Sequence, residues 1–255
     1  MDLGLGGKRA IITGGTRGIG RAIAEALAAE GVHVAICARD AAQVAVTVEA
    51  LKKSGARATG RALDVTDDAG LRGWIAEAAA ELGGLDILVP NVSALGGAIA
   101  PDEKSWRLGF EIDILATVRT VEAALPLLEK SSAGAIVAIG SAAAVENFGG
   151  VRPYNSVKAA LINYVSNLAH ALAPKRIRAN TVSPGTIYFE GGVWHQRQTE
   201  APQIYEMALK RNPMGRMGTP EEVAKAVAFL ASPAASFVTG TNLIVDGALT
   251  QRVQY

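Results

Sequence analysis

Cysteine is almost missing from this chain: one residue, Cys37, stands among 255, which excludes a disulfide framework. Histidine is scarce at three. Asp, Glu, His and Cys nowhere fall at the spacings of a metal cage, so no metal is expected. Charge of neither sign dominates, since 25 Lys and Arg against 24 Asp and Glu leave a net +1 with no basic run. That argues against nucleic acid as a partner. An apolar stretch long enough to cross a bilayer is lacking, as is a recognisable N-terminal signal. A soluble, cytoplasmic protein without a membrane partner is therefore expected. Aromatic residues contribute only 5% while the hydrophobic fraction reaches 49%, with Ala, Val and Gly abundant. That balance suits buried strands packed closely against small-residue helices.

Short apolar runs alternate with helical patterns for most of the length. Strands are expected at Arg9–Thr13, Val32–Cys37, Arg57–Leu63, Asp86–Val89, Ala135–Gly140, Arg178–Val182 and Leu243–Val245. Helices are expected at Gly18–Ala29, Ala41–Ser54, about Glu103–Lys130 and Pro153–Ala173, the last stopped by Pro174. This alternation predicts an α/β fold, a Rossmann-like doubly wound parallel sheet with helices on both faces. No linker or repeat interrupts it, so residues 1–255 read as a single domain. The irregular stretch is residues 186–213, mixed in polarity, which reads as a substrate lid. Thr219-Pro220-Glu221-Glu222 then opens a further helix with a cap, a first-turn proline and two acids.

Between the first strand and first helix lies Thr13-Gly14-Gly15-Thr16-Arg17-Gly18-Ile19-Gly20. Glycines let the backbone turn sharply and approach a pyrophosphate, which the N–H groups of the following helix then hold. A glycine-rich turn alone is weak evidence, because tight structural turns use the same residues; its position in the strand order favours a nucleotide. The second strand runs into Arg39 rather than an acid. An acid there would accept from the ribose hydroxyls of NAD, whereas Arg39 with Arg17 offers two cations to a 2′-phosphate. NADP(H) is the expected cofactor and NAD(H) the runner-up. The bland alternative for Arg39 is a surface pair with Asp40.

Tyr154 and Lys158 are four residues apart, one helical turn, and Ser141 precedes them by thirteen. A phenol near pKa ~10 is a poor base at neutral pH, and an adjacent ammonium favours its ionised form. Alone, such a pair most often decorates a solvated helix face. Together, a hydroxyl and a phenol facing one oxygen are what hydride transfer to a carbonyl needs, because charge builds on that oxygen.

In their order along nearly the whole chain, these residues resemble the classical short-chain dehydrogenase/reductase family. The markers are Thr13-Gly14 with Gly18-Ile19-Gly20, Asp64-Val65, Asn91, Ser141, Tyr154 with Lys158, and Pro184-Gly185. The resemblance implies a sheet of about seven strands and a homotetramer or homodimer. It places Gly14, Thr16, Arg17, Gly18, Ile19 and Gly20 at the cofactor phosphates. Asp64 and Val65 would lie along the adenine and Asn91 towards the adenosine ribose. The Pro184-Gly185 turn, Thr186 and the backbone of Ile187 would hold the nicotinamide carboxamide. In family terms Tyr154 exchanges the proton, Ser141 hydrogen-bonds the substrate oxygen, and Lys158 holds the nicotinamide ribose and tunes the tyrosine. The substrate would be a small carbonyl compound or alcohol.

Three positions depart from that pattern. Asp113 stands where similar proteins carry an Asn that interrupts the long middle helix and ties a water to the lysine. That role uses the main-chain carbonyl as much as the side chain, so Asp113 is expected to be tolerated and its carboxylate to raise the lysine pKa. Ser93 replaces a glycine at the cleft floor and either touches substrate or caps a local turn. Phe189 stands near the place of a Thr that commonly follows the Pro-Gly turn. Phe148, Trp194 and His195 are candidate substrate contacts, although an exposed loop histidine is the commoner case. Two rival readings keep the same fold: a non-catalytic NADP-sensing or scaffold protein, and a lyase or epimerase that uses the cofactor transiently.

Overall fold

The computed structural model describes residues 2–94 and 101–253. Seven strands form one sheet: β1 (Arg9–Thr13), β2 (His33–Ala38), β3 (Ala58–Ala62), β4 (Ile87–Val89), β5 (Ala135–Ile139), β6 (Arg178–Pro184) and β7 (Asn242–Val245). Their order is β3-β2-β1-β4-β5-β6-β7 and each pairing is parallel. The central strands are apolar on both faces, as helices on both sides require. Ile11 and Ile12 of β1 show the period of two, pointing into opposite core clusters.

One face is covered by α1 (Gly18–Ala29), α2 (Ala41–Lys53) and a helix near the end of the chain, Pro220–Ala231, through Leu27, Val48 and Val227. That last helix starts with the capping box foreseen at Thr219 and Glu222. The opposite face is covered by α3 (Asp68–Leu82), by Ala116–Leu128 and by Pro153–Leu172, through Leu71, Val121 and Leu161. α3 was not expected from the sequence. It is rich in alanine and interrupted by Gly70 and Gly73, so no apolar stripe stands out. Its ends are nevertheless marked, by Asp67 capping the Gly70 N–H at 3.0 Å and by the left-handed Gly83.

The long middle helix expected over residues 103–130 is three pieces. α4 (Glu103–Gly109) leads into a π-helical stretch, Phe110–Leu115, and then α5 (Ala116–Leu128). π-turns concentrate at functional sites because they re-aim one side chain, and here that side chain is Asp113. α6 (Pro153–Leu172) follows β5. The stretch 186–213, expected to be irregular, contains two helices, α7 (Val193–Glu200) and α8 (Pro202–Arg211), before α9 (Pro220–Ala231). Strand ends differ from expectation by one or two residues, most at β6, which runs on to Pro184 because Ser183 and Pro184 continue the pairing with β7 after the pairing with β5 has ended at Val182. Cys37 is buried in β2, and burial pushes its thiol up to about 12. Among the described residues no helix is long and apolar enough to cross a membrane, and no cluster of His, Cys, Asp or Glu could hold a metal.

At the amino ends of the strands Asp86 ties three segments together. It accepts from Arg9 Nε at 2.7 Å, Arg9 Nη2 at 2.9 Å and the Arg9 backbone N–H at 3.0 Å, and from the Ser131 hydroxyl. Burial pushes the Asp86 carboxyl up, but these hydrogen bonds and the Arg9 charge outweigh it and hold the group below the usual carboxylate range. A depressed carboxyl contributes stability above the unfolded pKa, near ~4, that is lost as pH falls through the lower folded value. Asp86→Ala should therefore cost about 2–4 kcal/mol in urea unfolding, below the full cost of an orphaned buried charge because Arg9 keeps some solvent. Asp86→Asn should also flatten the acid limb of the stability curve.

Candidate active site

The crevice opens where the carboxyl ends of β1 and β4 part, the point at which the strand order reverses. After Thr13 the chain turns through Gly14 (φ +70°) and Gly18 (φ +52°), left-handed conformations that a Cβ resists. The turn is pinned to β2 by the Gly14 N–H donating to Cys37 O at 2.8 Å. Asn91 holds it from the other side, donating its amide to Thr13 O at 3.0 Å and Gly14 O at 3.1 Å. A methyl group on Gly20 would collide with that carbonyl and that amide. Thr16 is buried beside Gln43.

α1 starts without a side-chain cap and without an acid in its first turn. Its first N–H groups and the positive end of its dipole are therefore free to meet an anion, which fits a pyrophosphate. Phe189 stands in front of this cradle: a Cβ added to Gly18 would meet its ring at 2.5 Å. Arg39 is exposed beyond β2, and Asp40 spends its carboxylate on capping α2 at Gln43 N (3.1 Å). Asp64 lies nearby. Hydrogen bonds from Thr66 hold its carboxyl below the usual range against partial burial, with help from the Arg39 charge. The Val65 side chain beside it is buried in the core.

β5 delivers Ser141 to the crevice. Its Oγ accepts from Ala143 N at 3.1 Å, which fixes the oxygen and leaves its O–H free to donate. Tyr154 and Lys158 occupy successive turns at the start of α6, which Pro153 presets. Lys158 is 2% exposed; its Nζ donates to Ile139 O at 2.9 Å and lies 5.9 Å from the centre of the Tyr154 ring. Asp113 Oδ1 sits 2.9 Å from that ammonium, and Oδ2 accepts from Ala94 N at 2.9 Å. The carboxylate thus meets the lysine directly. The main-chain carbonyl of Asp113, expected to anchor a water, accepts from the Thr117 hydroxyl at 2.9 Å. Burial would lower the lysine pKa, but the charges of Asp113 and Tyr154 outweigh it, and the pKa is raised.

Ser141, Tyr154 and Lys158 line one cleft of about 440 Å³ with Arg17, Ile19 and Asn91 on the side of the glycine turn. Pro184, Gly185, Thr186 and Ile187 line it from the end of β6. The Thr186 hydroxyl is engaged with Asn212, which also packs against α8. The backbone at residues 186–188 pairs with Gly218, leaving the Ile187 N–H without an acceptor among the described residues. Ser93, Phe148 and Trp194 complete the expected set. The Ser93 hydroxyl is buried with no hydrogen-bond partner among the described residues, which disfavours the turn-capping role. His195 is not in the wall: its Nδ1 accepts from Gly191 N at 3.1 Å and its ring packs edge-on to Tyr188. Helical geometry explains this, since Trp194 and His195 are successive residues of α7 and point in different directions.

Sequence reading missed three arginines in the same wall, Arg152, Arg197 and Arg211. Arg197 lies 4.8 Å from the centre of the Trp194 ring, a helical i,i+3 pair that spacing alone would have revealed. Arg211 lies 4.9 Å from the Phe148 ring, a contact between distant segments that has no local signal. Burial and the like charge of Arg152 lower the Arg197 pKa.

Removing one partner of the Asp113–Lys158 pair leaves a buried charge alone. Asp113→Ala should cost about 3–5 kcal/mol of stability. Asp113→Asn keeps the shape and an oxygen for Lys158, and should cost less while changing turnover by less than about tenfold. Because the lysine pKa is raised, the stability it contributes is complete below the unfolded value near ~10.4 and is lost as pH rises through the folded one. Alkaline unfolding of wild type and Asp113→Asn should differ accordingly.

A family model described as enoyl-(acyl carrier protein) reductase matches residues 14–250. The chain is 36% identical over 259 residues to isoepoxydon dehydrogenase of Penicillium expansum, covering 100% of this chain and 99% of that one. It is 35% identical to dehydrogenase/reductase SDR family member 4 of Oryctolagus cuniculus, covering 98% and 96%. The crystal structure of L-sorbose reductase from Gluconobacter frateurii, complexed with NADPH and L-sorbose, superposes with a TM-score of 0.91 at 30% identity, covering 99% and 100%. With the sheet order and the cleft at its switch point, these likenesses establish that the chain belongs to the classical short-chain dehydrogenase/reductase family of oxidoreductases.

Proposed function

We propose that the protein is an NADP(H)-dependent oxidoreductase that interconverts a carbonyl and a secondary alcohol. One observation carries the reading: Ser141, Tyr154 and Lys158 converge on a single cleft that also takes in the uncapped start of α1 and the Pro184–Ile187 turn. When bound, the nicotinamide would give or take the hydride. The free O–H of Ser141 would donate to the substrate oxygen as negative charge develops there. Tyr154 would hand its proton to that oxygen during reduction and take it back during oxidation. Lys158, one of its N–H groups spent on Ile139 and its charge shared with Asp113, would use the remaining donor on the cofactor ribose.

The α1 amides would hold the pyrophosphate, and the free Ile187 N–H the carboxamide. Arg39 and Arg17 would hold the 2′-phosphate, with Asp40 withdrawn to its helix cap. Residues 186–213 would form a lid, tied to the cofactor wall through Thr186 and Asn212. Phe189 would leave Gly18 for the phosphates to dock. The assembly would be a homotetramer or homodimer, as in similar proteins.

Tyr154→Phe should still bind NADPH yet lose at least ~10²-fold in turnover, the usual cost of a lost general acid. Near-normal rates would remove the assignment. Arg39→Asp should weaken NADPH far more than NADH in fluorescence titrations. Equal losses would contradict the phosphate role.

A further inference from the structure

The far end of the cleft is unusually one-signed. Among the described residues its wall contains Arg152, Arg197 and Arg211 in addition to Arg17 at the glycine turn, and no Asp or Glu. The Lys158 charge is already matched by Asp113, which leaves Arg197 and Arg211 as the cations that face the far end of the cleft. Both are fixed in place: Arg197 over Trp194 at 4.8 Å and Arg211 over Phe148 at 4.9 Å, both rings being cleft residues. Stacking on an aromatic face orients the planar fork while leaving its N–H edge open for a ligand. The positive end of α6 adds to the field, because Arg152 stands at its N-cap and no acid occupies its first turn. Arg197 is half-buried while Arg211 is exposed, so Arg197 gains most from an anion that joins it.

We propose that the substrate carries an oxyanion, a carboxylate or a phosphate, held by Arg197 and Arg211 while its carbonyl or alcohol carbon faces Tyr154. The inference rests on the oxidoreductase reading above and narrows its substrate class. Apolar neighbours in the same wall, Ile204 and Met207 on α8, would pack along the chain between the two ends. Bidentate arginine contacts to such groups are charge-assisted and directional, so they would set both affinity and register.

The test measures binding and turnover separately. Short-chain oxo acids and dihydroxyacetone phosphate are titrated into the protein saturated with NADP⁺, beside their uncharged counterparts, the methyl esters and dihydroxyacetone. Binding is read by tryptophan fluorescence, and turnover by loss of reduced-nicotinamide absorbance. At least one charged probe should bind ten or more times tighter than its neutral counterpart, a difference of about 1.4 kcal/mol. That preference should shrink at high salt, and fall below about threefold in the Arg197→Met/Arg211→Gln variant, whose fold is checked by NADPH binding. Equal binding of charged and neutral probes, a preference that survives the double substitution, or no saturable binding of any charged probe would each overturn the proposal. Charge-selective binding without cofactor consumption by any probe would uphold the anion site and sink the redox reading. Cofactor consumption with no charge preference would do the reverse.

Discussion

The contact between Asp113 and Lys158 organises the crevice. It lies in a nearly dry interior, where either charge alone would be costly and the two together are tolerated because each offsets the other and each gains a backbone partner. Ile139 O and Asp113 share the ammonium, and Ala94 N takes the second carboxylate oxygen. Four segments are thereby joined at one point: the end of β5, the first turns of α6, the π-helical stretch and the chain leaving β4. Ser141 and Tyr154 keep their spacing because their own elements are locked there. The same neutralisation moderates the field of Lys158 on the phenol, so geometry rather than a bare positive charge sets what Tyr154 experiences.

A second constraint lies across the crevice. Parallel strands that depart in opposite directions from β1 leave a gap at β1 and β4, and the glycine turn fills its rim. Asn91 reaches over from β4 to both carbonyls of the turn, and Gly20 makes room for it. The rim is therefore a braced strap, tied to β2 through the Gly14 and Gly15 N–H groups and to the chain after β4 through Asn91. Against that braced side, residues 186–213 present an arginine-bearing wall in which polar ties such as Thr186–Asn212 alternate with ring contacts.

Much of this architecture was readable in advance where the signal is local. The apolar runs of the strands, the glycine turn, the cap at Thr219 and the one-turn spacing of Tyr154 and Lys158 each depend on neighbouring residues alone. α3 escaped because alanine and glycine blur its apolar stripe. The division of the middle helix escaped because nothing in Phe110-Glu111-Ile112-Asp113 breaks a helix locally; a π-turn is adopted there because Asp113 gains Lys158 and Ala94 as partners. His195 and Trp194 looked equivalent as letters, and helix phase separated them.

What followed from the order of residues was the layered sheet, its phosphate-type turn and the membership of a family, since all three rest on period, spacing and short-range chemistry. What required the folded chain was the set of partners each charge acquired. Asp113 met a lysine 45 positions away in the chain (158 − 113). Arg211 found Phe148, and Asn91 braced a turn on another strand. Such pairings cost loop-closure entropy, repaid only when many segments dock together, so they leave little trace in any short window of sequence.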